Sequence, residues 1–141
     1  MICLDASVAV KLVLPEEFSD ETEALLRATV DANEPVVAPA LLPIEVANII
    51  RKRMVQEGLA LDDARQTLER FLDLPIDLRS VPDLHLKALT IADALSAPAT
   101  YDAYYLAIAL DYNCDLWTDD RRLLRLARSL PFVRWIGDFR A

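Results

Sequence analysis

At 141 residues, 54% of them hydrophobic, the chain has the size and apolar content of one domain with a genuine core, which excludes a disordered segment. Its net charge of −8 is the wrong overall sign for gathering nucleic acid by bulk attraction to phosphates. No apolar run approaches the ~20 residues of a membrane-spanning helix, and MICLDASVAVKLVL lacks the basic leader and cleavage site of a signal peptide, so a cytoplasmic protein is expected.

Strand-like and helix-like runs alternate along the chain. MICLD (1–5) reads as a strand and 6–14 as a helix; a second helix, 19–32, opens on Asp20 and Glu21. The strand PVVA (35–38) leads to a helix over 43–57, with Pro43 in its first turn and Gly58 ending it. Then follow a helix at 61–73, the strand IDLRSV (76–81), a helix at 82–95 with Pro82 in its first turn, and a helix at 100–111 capped by Thr100. CDLWT (114–118), a helix at 120–129 and FVRWI (132–136) complete the order. Such alternation specifies an α/β domain over 1–141, with a mainly parallel sheet and helices on both faces.

Several chemistries are closed by composition. With only Gly58 and Gly137, there is no glycine-rich phosphate loop and no GxGxxG turn. Cys3 and Cys114 read as buried free thiols, and His85 is the only histidine, so a structural zinc site lacks ligands.

Four carboxylates stand in apolar surroundings: Asp5 after MICL, Glu45 within ALLPIEVANII, Asp102 within ATYDAYYLAIAL, and Asp120 after LWTD. Asp5 ends the first strand and Asp120 follows the fourth. Glu45 and Asp102 fall in the first turns of helices that begin beside strand C-termini. All four therefore gather at the C-terminal edge of the sheet, where open α/β folds place their sites. Each acid also has a purely structural reading as a helix cap or first-turn acid. Four such acids at one edge would repel one another unless cations offset them, and oxygen-only ligands point to Mg²⁺, with Mn²⁺ as substitute. Hydrolysis of a phosphodiester by a metal-activated water suits that donor set. Lys11, Arg51, Arg53, Arg121 and Arg122 flank the edge and either hold an anionic backbone or are ordinary solvated charges. In WTDDRR, strand alternation sends Thr118 and Asp120 to one side and Asp119 to the other. Asp120 is then the site acid, and Asp119 the cap of the next helix, with outer-shell metal contact as its second role.

LDAS, LLPIEVANIIRKR, TYDAYYLAIAL and LWTDDRRLLRLA, in that order, resemble a PIN-domain ribonuclease, and the short form resembles the VapC-type toxins of toxin–antitoxin systems. The resemblance runs from Ile2 to about Phe139. It implies a three-layer α/β sandwich around a five-stranded parallel sheet, metal-binding roles for Asp5, Glu45, Asp102 and Asp120, and supporting roles for Ser7, Asn48 and Thr118. Arg51 falls at the family's arginine position, and with Arg121 and Arg122, read above as flanking cations, it is a candidate substrate contact. An RNA substrate, homodimers and an antitoxin whose tail enters the active-site groove are further implications. An RNA-processing nuclease without an antitoxin stays open beside this reading, as do a phosphoacceptor signalling domain and a non-catalytic interaction module. The helices at 19–32, 43–57 and 61–73, rich in Leu, Ile and Val, read as core elements or as an antitoxin-docking surface.

Overall fold

A computed structural model describes residues 1–141. The elements are β1 (Ile2–Leu4), α1 (Ala6–Ala9), a 3₁₀ turn (Val10–Leu12), α2 (Ser19–Asp31), β2 (Val36–Ala38), α3 (Leu41–Glu57) and α4 (Leu61–Leu72). They continue as β3 (Ile76–Leu78), α5 (Leu84–Ala94), α6 (Tyr101–Tyr112), β4 (Asp115–Thr118), α7 (Arg121–Leu126), β5 (Val133–Trp135) and a closing 3₁₀ turn (Ile136–Asp138).

The five strands form one sheet in the order β3-β2-β1-β4-β5, and every pairing is parallel. Successive strand residues point to opposite faces, yet Val36, Val37 and Ala38 are all buried, as are Cys3 and Leu4 of β1 and Leu116 and Trp117 of β4. Burial on both faces is the mark of a sheet sandwiched between helices. The α/β expectation holds, and one contiguous core runs from Cys3 to Ile136.

Several element ends differ from the sequence reading, each for a local reason. The first helix tightens into the 3₁₀ turn before Pro15. α3 begins at Leu41, so Pro43 is its third residue and Glu45 lies in the second turn rather than the first. Pro82 stays outside α5, because Asp83 between them is left-handed, with φ of 57°. Thr100 occupies the N-cap position of α6 with helical backbone angles and makes no side-chain cap bond. Gly58 ends α3 in a left-handed conformation, with φ of 71°, as its position suggested.

The strand order places a topological switch between β1 and β4, since the chain leaves β1 towards β2 on one side and reaches β4 on the other. Cys3 lies beside Leu116 and Leu4 beside Trp117. One step further, that register brings Asp5 alongside Thr118. No helix is long and apolar enough to cross a membrane. Cys3 and Cys114 are buried free thiols. Helices α2, α3 and α4 supply Leu25, Leu42, Val46 and Phe71 to the core, yet they also leave Val30, Ile44, Val55, Leu61 and Leu72 exposed.

Candidate active site

At the switch point Asp5 is 5% exposed and caps α1, its Oδ1 accepting from the Val8 amide at 3.1 Å and from Ser7 Oγ at 2.6 Å. Thr118, fully buried, donates its hydroxyl to the other oxygen, Oδ2. Burial nevertheless dominates and lifts the Asp5 carboxyl from its ordinary 3.8 to about 7, against the opposing pull of these donors and with repulsion from Asp102 added. A carboxylate this deep, held in a fixed orientation by two hydroxyls, has its charge constrained rather than solvated.

Glu45 comes from α3, and its Oε1 accepts from the Tyr105 hydroxyl at 2.6 Å. Partial burial raises its carboxyl, with smaller contributions from Asp102 and Asp120, while the Tyr105 bond opposes them. Asp102, in the first turn of α6, is raised by burial and by Asp120, and Arg122 works in the other direction. The guanidinium of Arg122, two-thirds exposed, lies 3.4 Å from Asp102 and 3.5 Å from Asp120. The four acids thus share one edge within mutual electrostatic reach. In this conformation no three of them are drawn together as closely as the ligands of a bound metal ion would be. Asp5, Glu45 and Asp120 are each held by donors of their own, and the exposed Arg122 serves as the common counter-charge for Asp102 and Asp120.

The WTDDRR turn divides as alternation requires but with the capping role exchanged. Asp120, not Asp119, is the N-cap of α7, its Oδ1 accepting from the amides of Arg122 at 2.8 Å and Leu123 at 3.3 Å. The Asp120 amide itself donates to Thr118 Oγ1 at 3.0 Å. Asp119 faces away from the other acids. It accepts from Trp135 Nε1 at 2.9 Å and pairs with Lys11 at 2.9 Å, while its amide donates to Ser7 Oγ at 2.8 Å.

Lys11 is 4% exposed, with its ammonium bonded to Glu16, the Glu17 carbonyl and Asp119. Burial works to lower its pKa, but the bonds to Asp119 and Glu16 outweigh it and raise the value, so the ammonium stays charged. Neither Lys11 nor Arg53, which Glu16 and Glu57 engage, is free to meet a substrate backbone. Arg51 and Asn48 are exposed on α3, Asn48 one turn beyond Glu45. Arg121 lies over the Trp135 ring at 4.1 Å.

Two residues central to this arrangement escaped the sequence reading. Tyr105 was legible only as a neighbour of Asp102 on its helix, although a phenol three residues from an acid in an apolar helix calls for a buried partner. Trp135 gave no signal beyond strand propensity. Its indole packs edge-on to Phe18 and passes so close to Gly137 that a Cβ there would overlap the ring. Gly137→Ala is therefore expected to lower stability by about 1–3 kcal/mol through overpacking, measurable by thermal or urea denaturation.

The fold has known counterparts. The PIN domain family pattern matches residues 2–129. VapC ribonuclease Mb0985 of Mycobacterium bovis is 32% identical over 123 residues, covering 87% of this chain and 88% of that protein. Ribonuclease VapC12 of Mycobacterium tuberculosis is 30% identical over the same length, covering 87% and 89%. The crystal structure of PAE2754 from Pyrobaculum aerophilum superposes with a TM-score of 0.69 over 96% of this chain and 89% of its own, at 20% identity, a likeness of fold. With the family pattern spanning nearly the whole chain, from before Asp5 to beyond Asp120, and VapC proteins aligned over most of both lengths, the chain belongs to the PIN-domain family and is of the VapC type.

Proposed function

We propose that this chain is the toxin of a toxin–antitoxin pair, a cytoplasmic endoribonuclease that hydrolyses RNA phosphodiester bonds with Mg²⁺, for which Mn²⁺ can substitute. The observation that carries the reading is the Asp5 carboxylate, buried at the sheet's switch point, oriented by Ser7 and Thr118, and adjoined by three further acids: Asp102 raises the proton affinity of Asp5 and Glu45, and Asp120 that of Asp102 and Glu45. The names of the VapC relatives, ribonucleases all, support the substrate class.

A divalent cation fits the donor set, because the edge offers hard carboxylate oxygens and hydroxyls but no imidazole or thiolate. Asp5, Glu45, Asp102 and Asp120 would hold it; when bound, it supplies Lewis acidity towards water and phosphoryl oxygen. The protein's own contribution is orientation. Ser7 and Thr118 fix both oxygens of Asp5, Tyr105 fixes Glu45, and the α7 amides fix Asp120. With the charge of Asp102 and Asp120 offset by a cation, the exposed Arg122, which now pairs with both, would be available as a phosphate contact beside Arg121. The exposed Val55 and Leu61 of α3 and α4 give an antitoxin, or a second copy in a homodimer, apolar surface to cover.

Purified protein is expected to cut RNA with Mg²⁺ and to stop with EDTA. Asp102→Asn should slow cutting by more than tenfold, read from product bands on a denaturing gel. Equal cutting in all three arms would remove the metal from the reading.

A further inference from the structure

Beside the first turns of α3 and α6, the helices that carry Glu45 and Asp102, lies a concavity of about 350 Å³, within the size range of small-molecule sites. Leu41 and Ile44 of α3, His85 of α5, and Thr100, Tyr101 and Tyr104 at the start of α6 form its walls. Ile44 directly precedes Glu45 and Tyr101 directly precedes Asp102, so the concavity and the acids share their framework. We infer that this concavity is a nucleobase subsite, which receives and reads one unstacked base of the RNA beside the scissile phosphate. The inference rests on the ribonuclease reading above and deepens it.

Three features argue for a base as occupant. Tyr101 is 60% exposed, an aromatic face left open for stacking, and single-stranded RNA is recognised by stacking splayed bases on such faces. His85 Nδ1 and the Tyr104 hydroxyl share a 2.7 Å hydrogen bond, which leaves Nε2 available. Nε2 is a donor if Tyr104 donates to Nδ1 and an acceptor if Nδ1 donates; either form can discriminate base edges. Charge points the same way. In this acidic chain, four other surface clefts each carry two or three carboxylates, whereas this one carries none. A polyanion can therefore lay a base there without meeting a negative wall.

The test is to digest a randomised single-stranded RNA library with Mg²⁺ and sequence the cut ends. The wild-type protein should show a nucleotide preference of about tenfold at one position next to the cut, the size expected of stacking plus one hydrogen bond. Tyr101→Ala and His85→Ala should flatten that position while preferences elsewhere persist, and Tyr101→Phe, which keeps the ring, should preserve it. Cutting with no preference at any flanking position, or with the same preference in Tyr101→Ala, overturns the subsite alone. So does a change from dimer to monomer in Tyr101→Ala by light scattering, because the concavity is then an interface between copies. No cutting by the wild type overturns the ribonuclease reading and the subsite with it.

Discussion

In metal-free buffer at pH 8, Asp5→Asn is expected to melt above the parent protein, while with Mg²⁺ present its RNA cleavage falls about 100-fold or more below the parent's. The two effects have one cause. In the fold the Asp5 carboxyl titrates near 7, whereas 3.8 is its ordinary value, so between those limits the native state holds a proton that the unfolded chain has released. Stability therefore declines as pH rises through that window and stays low above it. A rise of this size corresponds to on the order of 4 kcal/mol of penalty for the ionised, metal-free form. The amide carries no charge to bury. It can still accept from Ser7 and the Val8 amide, and its nitrogen can face Thr118, so on the order of 2 kcal/mol should be recovered.

The advantage of Asp5→Asn should shrink as pH is lowered from 8 towards 4, where the parent carboxyl is protonated in the fold. Adding Mg²⁺ should also narrow it, by stabilising the parent through binding to the native state alone. Thermal melts at several pH values, with and without Mg²⁺, measure all of this. A variant less stable than the parent at pH 8, by the same margin at every pH, would show that Asp5 acts as a simple helix cap. In that case its burial stores no strain for a cation to relieve.

Much of this site was legible in the sequence because its acids sit where polar residues are conspicuous. Asp5, Glu45 and Asp102 interrupt apolar runs, and the alternation of strands and helices was enough to bring them to one sheet edge. What stayed hidden depended on partners remote in the chain or on local backbone angles. Lys11, in VAVKLVL, reads as a solvated charge because Asp119, which joins the nearby Glu16 in neutralising it, meets it only after β4 is laid beside β1. The start of α3 two residues earlier than expected moved Glu45 into the second turn, where it meets Tyr105. Pro43 was no guide to that boundary, since any first-turn position tolerates it. The convergence itself was only half visible. Sequence patterns bring carboxylates to the same edge, but how closely they draw together depends on which donors claim each oxygen, and here Thr118, Tyr105 and Arg122 do.

The exchange of capping roles in WTDDRR leads to the second large effect, a crossed pair of losses: Asp120→Ala should reduce cleavage by about 100-fold at modest cost in stability, and Asp119→Ala should do the reverse. Asp120 faces Asp102 and Glu45, and its removal takes a candidate cation ligand from the edge. As the cap of α7 it also satisfies two amides, so its loss costs about 1 kcal/mol. Relief of repulsion with the neighbouring acids returns part of that. Asp119 is tied to structure instead: it neutralises the buried Lys11 and accepts from Trp135. Truncating one partner of a buried ion pair leaves the other charge poorly compensated, and Glu16 with the Glu17 carbonyl can make up only part of the deficit. Asp119→Ala should thus lower stability by about 2–4 kcal/mol. Its cleavage rate, corrected for the folded fraction, should stay within about tenfold of the parent, because the Asp119 backbone amide can still hold Ser7 against Asp5. Denaturation midpoints and cleavage rates measured on both variants decide the matter. If folded Asp119→Ala proved the weaker nuclease, the Lys11–Asp119 pair would be part of the reaction machinery rather than the frame that aims Asp120 at it.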